Sequence, residues 1–158
     1  MTQLIIETIA CSVATFSFAI LINIRGRYLL WASIAGAISW FFYKVFLDIS
    51  GSNSFSMFTS AIIFSSYAEI MARRLKTPVT TLVVCALIPL VPGSGMYYTM
   101  SSVVNGNIDQ TFGLGIATIA SAGSLALGVI FTSTITRMIV NLKNKTYQKM
   151  IAKRQQKK

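Results

Sequence analysis

The chain has 158 residues, 54% of them apolar and only 11% charged, with a formal net charge of +10; an ordinary soluble domain is about 25% charged, so water is not its main solvent. All but Lys44 of its 14 basic residues sit between apolar runs or towards the C-terminal end rather than on one soluble face, which points to membrane topology and away from nucleic acid. With no histidine, with Cys11 and Cys85 both inside apolar runs, and with no paired carboxylates, neither metal-ligand spacing nor a catalytic constellation is present, so no enzyme, no cofactor and no structural disulfide is expected.

Apolar runs of about 20 residues recur along nearly the whole chain, each long enough to cross a hydrocarbon core. The first, Leu4 to Ile22, has no basic leader before it and reads as a retained span. It closes at Asn23-Ile24-Arg25-Gly26-Arg27. The second, Tyr28 to Leu47, carries Trp31 near one end and Trp40 and Tyr43 near the other, as amphipathic rings at two headgroup levels would. A polar turn follows from Asp48 to Ser54. The third run, Phe55 to Ala72, stops at Arg73, Arg74, Lys76 and Pro78. The fourth begins at Val79, and after a turn from Asn105 to Gln110 the fifth runs from Thr111 to about Val140. The expected fold is all-α: a transmembrane bundle over residues 1–140 with a basic cytoplasmic tail over 141–158.

Lysine and arginine in short loops stay on the cytoplasmic side. Arg25 and Arg27, then Arg73, Arg74 and Lys76, then the tail mark one side, whereas the turns at 48–54 and 105–110 hold neither residue. Five spans in the inner, or plasma, membrane satisfy this alternation with the N-terminus outside and the C-terminus inside. A four-span alternative makes the first run a peripheral helix and leaves the N-terminus beside the arginines. The tail from Arg137 to Lys158 carries eight basic residues and would attract anionic lipids, by about 1 kcal/mol for each residue near the surface.

Helices in lipid associate through small residues and interhelical hydrogen bonds. Ala120, Ser124, Gly128 and Thr132 recur at every fourth position, and Ala32 with Gly36 makes a shorter pair; both stripes are expected to meet neighbouring helices. Among the acids, Glu69 stands one turn before Arg73, as an i,i+4 pair or as an ion-coupling carboxylate. Glu7 reads as a snorkelling or outer-gate residue, Lys44 and Asp48 as an outer pair, and Asp109 as solvated.

The fourth run is interrupted by Pro89-Leu90-Val91-Pro92-Gly93-Ser94-Gly95. Proline removes an amide donor and clashes with the preceding turn, so a broken helix is expected here. At about 1.5 Å per residue from Val79, the break falls roughly 15 Å deep, near the middle of a core about 30 Å thick. Backbone groups freed at that depth must meet protein, water or a solute. A half-helix starting near Ser94 would offer its positive end to a carboxylate, with Tyr97 and Tyr98 along the path outward. The plainer reading is a bend that only packs against its neighbours.

The pattern Pro89-x-x-Pro92-Gly93-x-x-x-Tyr97 followed by Thr99-Met100, and the preceding string from Ala68 to Pro78, resemble the smaller component of the threonine/serine exporter family. That resemblance implies export of threonine and serine, or of dicarboxylates such as succinate in some split pairs. It also implies a second, larger membrane subunit that supplies the other half of a ten-span machine. The substrate would lie at Pro89, Pro92, Gly93, Ser94, Gly95, Tyr97 and Tyr98, with alternating access by rocking of the halves. A non-transporting scaffold subunit is the rival reading, and self-association as a homo-oligomer stays open.

Overall fold

The computed structural model describes residues 2–155, and the side-chain surroundings of residues 2–142. Every element in it is helical: α1 Thr2–Leu21, α2 Arg27–Ser50, α3 Asn53–Leu75, α4 Val79–Leu87 continued by a 3-10 turn Ile88–Leu90, α5 Gly93–Val104 and α6 Ile108–Gln155. Four of them, α1, α2, α3 and α6 as far as Leu142, are long and apolar enough to span a membrane, and α4 with its turn and α5 qualify together as one span bent by 48°. Counting that bent pair once gives the expected five-span all-α bundle with a broken fourth span. The helices overrun the apolar runs by a few residues because lipid thickness limits the apolar stretch, not the hydrogen-bonded ladder. The lysines of the tail expected to meet anionic lipid lie outside the residues whose side chains are described.

Tight turns fold consecutive helices against each other. At the end of α1 the Asn23 backbone is left-handed (φ 62°), with Asn23 N–H donating to Ile20 O and Ile24 N–H to Ala19 O, both at 2.9 Å. Gly106 (φ 73°) repeats this pattern after α5, with Asn107 N–H reaching Ser102 O at 3.0 Å. These are Schellman ends, which satisfy the last carbonyls of a helix while reversing the chain.

The interior is built from small side chains. Ala19, Ala32, Ala35, Ala61, Ala68, Ala72 and Ala86 are all buried, whereas Ile5, Ile6 and Ile9 of α1 and Ile116, Ile119 and Leu127 of α6 are exposed. This is the arrangement lipid favours: apolar bulk outward, small residues at helix contacts. Hydroxyls cross the interfaces, with Ser33 donating to Ser12 O at 2.8 Å between α2 and α1, and Ser60 to Ser39 O at 2.6 Å between α3 and α2. Gly36 faces Thr15 so closely that an added Cβ would collide with the threonine side chain, so the Ala32–Gly36 stripe does meet a neighbouring helix.

The α6 stripe departs from expectation. Gly128 and Thr132 are buried, but the positions continuing their face are Ser121 and Leu125, not Ala120 and Ser124. A strict step of four residues advances about 400°, so it drifts around the helix by about 40° each time, and alternating steps of four and three hold the face. The expected Lys44–Asp48 pair is also overturned: Lys44 Nζ sits 3.0 Å from Glu7 Oε2. The antiparallel α1–α2 hairpin sets the start of α1 against the far end of α2, and Trp40 Nε1 donates to the same Glu7 oxygen at 3.2 Å.

α4 packs on α2 and α3, while α5 packs chiefly on α6. α6 runs in the same direction as α3, since Asn53 meets Ser121 and Gly128 faces Ala61. The two halves of the broken span therefore belong to different neighbours.

Candidate functional site

Two prolines and a short turn make the break. Pro92 has φ −74° and ψ 56°, an inverse γ-turn in which Gly93 N–H donates back to Val91 O at 2.7 Å. Val91 N–H still reaches Leu87 O at 3.1 Å, and Met96 N–H is the first to enter the α5 ladder, donating to Pro92 O at 3.1 Å. Between them the amides of Ser94 and Gly95 have no backbone acceptor among the described residues, and no side chain among them caps the helix at Pro92. On the other strand of the ledger, the carbonyls of Pro89 and Leu90 lose the partners a continuous helix would give them. Gly93 N–H is turned to Val91, and Ser94 N–H is one of the free amides. The break thus frees donors and acceptors within the seven residues from Pro89 to Gly95.

These groups border a cavity of about 310 Å³ between the break, α2, α3 and α6, a size at the low end for small-molecule sites. Trp40 and Tyr43 come from α2, Asn53 and Met57 from α3, Pro89 through Pro92 with Ser94 and Gly95 from the break, and Leu114, Ala117, Thr118 and Ser121 from α6. A polar relay ties three walls together: Tyr43 OH donates to Asn53 Oδ1 at 2.8 Å, Asn53 Nδ2 donates to Ser121 Oγ at 2.9 Å, and Ser121 Oγ donates to Ala117 O at 2.8 Å. None of the lining residues is charged. Glu7 and Lys44 stand behind Trp40, with Lys44 Nζ 5.7 Å from the centre of its ring.

Of the residues expected at the site, Pro89, Pro92, Ser94 and Gly95 line the cavity, and Gly93 begins α5 beside it. Tyr97 and Tyr98 do not. They are 68% and 58% exposed and stack edge-on with centroids 5.5 Å apart. After the bend α5 leans chiefly on α6, through Gly95 against Thr118 and Thr99 against Gly115, and one turn further on the tyrosines are left exposed among the described residues. Sequence reasoning missed Asn53, Thr118 and Ser121 and read Trp40 and Tyr43 only as interfacial anchors. Asn53 looks like a turn residue, and its partners lie 10 and 68 positions away. Glu69 lies elsewhere, 7% exposed, with Arg73 Nη2 at 3.2 Å from its Oε2; the i,i+4 pair is present.

A family model described as Threonine/Serine exporter, ThrE, matches residues 7–135. The chain belongs to the threonine/serine exporter family. No curated protein and no solved structure matches it. The stretch shared with the threonine/serine exporters runs from Glu7 past Ser121, so it takes in the whole cavity wall, the break and the Glu69–Arg73 pair. A multi-pass membrane exporter is the function this membership supports.

Proposed function

We propose that this chain is one subunit of a secondary exporter for small zwitterionic amino acids, threonine and serine foremost, which it holds at the break in its fourth span. The observation that carries the reading is the pair of unpaired amides, Ser94 and Gly95, at the cavity-facing start of a 12-residue helix. Amides at a helix N-terminus favour a carboxylate. The carbonyls of Pro89 and Leu90, with the ring faces of Trp40 and Tyr43, suit an ammonium group. Thr118, Ser121 and Asn53 offer partners for a side-chain hydroxyl. A dicarboxylate such as succinate would set its second carboxylate against carbonyls and ring faces, with no basic side chain in the wall, so it is the weaker fit.

Because α5 rests chiefly on α6, the cavity is open on one flank, and a second membrane subunit is the natural cover. Coupling to a proton or cation gradient falls to Glu69, a buried carboxylate at the end of α3 that bears Arg73, Arg74 and Lys76. Loop charge sets that end in the cytoplasm and the N-terminus outside. Rocking between the halves would then expose the site to each side in turn.

The test is threonine efflux from cells carrying this chain with its partner. Ser94→Pro deletes one free amide at a position in the first turn that tolerates proline. Losing one hydrogen bond to a charged group, about 1.5–3 kcal/mol, should slow efflux by about tenfold or more. Ser94→Ala keeps the amide and should change it little. Unchanged flux through an intact Ser94→Pro complex would leave only the scaffold reading.

A further inference from the structure

A second cavity, of about 330 Å³, lies between α3, α4 and α6 and shares no lining residue with the one at the break. It sits at the end bearing Arg73 and Arg137, and its wall holds charge of both signs. Glu69 presents a buried carboxylate from α3; its Oε2 accepts one hydrogen bond, from Arg73 at 3.2 Å, and its Oε1 accepts none among the described residues. From α6, Arg137 lines the same space and forms no ion pair among the described residues. Thr80 and Ser133 add hydroxyls, and the rest of the wall is valine.

An anion alone would meet Glu69 here, and a cation alone would meet two guanidinium groups. A small solute carrying an ammonium and an acidic group satisfies both, and the valines and hydroxyls leave room for a short side chain. A plain surface pair would explain Arg73 beside Glu69. It would not explain a carboxylate buried against a cavity that an exposed guanidinium from another helix also lines, with no ion pair to it among the described residues.

We propose that this cavity is a second amino-acid station, where Glu69 holds the ammonium and Arg137 with Arg73 holds the carboxylate of the solute also handled at the break. The assignment rests on the reading of the break as an amino-acid site. A phosphatidylethanolamine headgroup shares the same chemistry, so the experiment separates the two sources.

The number of radiolabelled L-threonine molecules bound per full-length chain is measured in nanodiscs of phosphatidylglycerol and phosphatidylcholine, which offer no primary ammonium. Two per chain are expected. Arg137→Gln or Glu69→Gln should leave one, and so should Gly95→Val, whose side chain intrudes on Thr118 beside the break. Thr80→Val, which keeps volume and charge, should weaken the second equivalent about tenfold and guards against misfolding of the charge variants. One equivalent, lost with Gly95→Val and kept with Arg137→Gln, overturns the second station and leaves the break site standing. One equivalent with the opposite pattern supports the station and overturns the break site. No binding overturns both. Loss of the second equivalent in phosphatidylethanolamine discs assigns the cavity to a headgroup and overturns the amino-acid station.

Discussion

At Gly128 the backbone of α6 comes so near α3 that a Cβ added there would lie 2.6 Å from the Ala61 Cβ and 2.8 Å from the Phe58 carbonyl oxygen. Neither neighbour is the end of a flexible chain, so the helices must separate to admit a methyl group. Gly128→Ala should destabilise the bundle by about 1–3 kcal/mol, as overpacking does, seen as a lower unfolding midpoint in mixed detergent micelles. Gly123→Ala is the matched control, because nothing lies within 4 Å of that site, and it should move the midpoint by no more than about 0.5 kcal/mol. Equal effects would mean that helix propensity, not close approach, decides the outcome. Spacing marked Gly128 as a contact but misplaced half of its stripe, since a four-residue repeat in sequence is not a straight line on a helix of 3.6 residues per turn. Local spacing likewise paired Lys44 with Asp48, while the fold chose Glu7, which is 37 positions distant in the chain and adjacent across the α1–α2 hairpin.

Among the elements, the broken span was the most legible. Proline and glycine act through their own backbone, so Pro89, Pro92 and Gly93 announce a discontinuity without reference to any neighbour. What the sequence withheld was where the second half goes. Its bend of 48° sends α5 to α6, leaving Tyr97 and Tyr98 outside the cavity and bringing Thr118 and Ser121 in. Replacing Pro89 and Pro92 together by alanine restores two amide donors, for the carbonyls of Cys85 and Ile88, and should straighten the span. Twelve residues of α5 at about 1.5 Å each, swung through the bend, carry its far end roughly 15 Å. Spin labels at Ser50→Cys and Val104→Cys, in a background lacking Cys11 and Cys85, should report a shift of that order. An unchanged distance would show that the α5–α6 contact holds the bend rather than the prolines.

Over the whole molecule, polarity is distributed opposite to a soluble protein: serines and alanines inside, isoleucines outside. That distribution, with the turns at either end, made the span order readable from the chain, because lipid thickness and loop charge act on long stretches and need no tertiary detail. The orientation rests on loop charge alone. A membrane-impermeant maleimide applied to intact cells should label Ser52→Cys and spare Lys76→Cys until the membrane is opened. The reverse pattern would invert the proposed direction of transport relative to the two cavities. The shape of the cavity was not legible, since its walls come from four separate stretches that only packing brings together.

α6 passes the break cavity at Leu114 to Ser121 and the Glu69 cavity at Val129 to Arg137, and its closest bearing on α3, Gly128 on Ala61, falls between the two. α6 is one unbroken helix that bears on α3 along a broad face, from Asn53 against Ser121 to Ala61 against Gly128, so the two chambers share one wall. A rigid tilt of that wall about Gly128 would narrow one chamber as it widened the other. A disulfide fixing α6 to α3 above that fulcrum would then freeze both chambers at once, and accessibility at Ser133→Cys would stop responding to threonine.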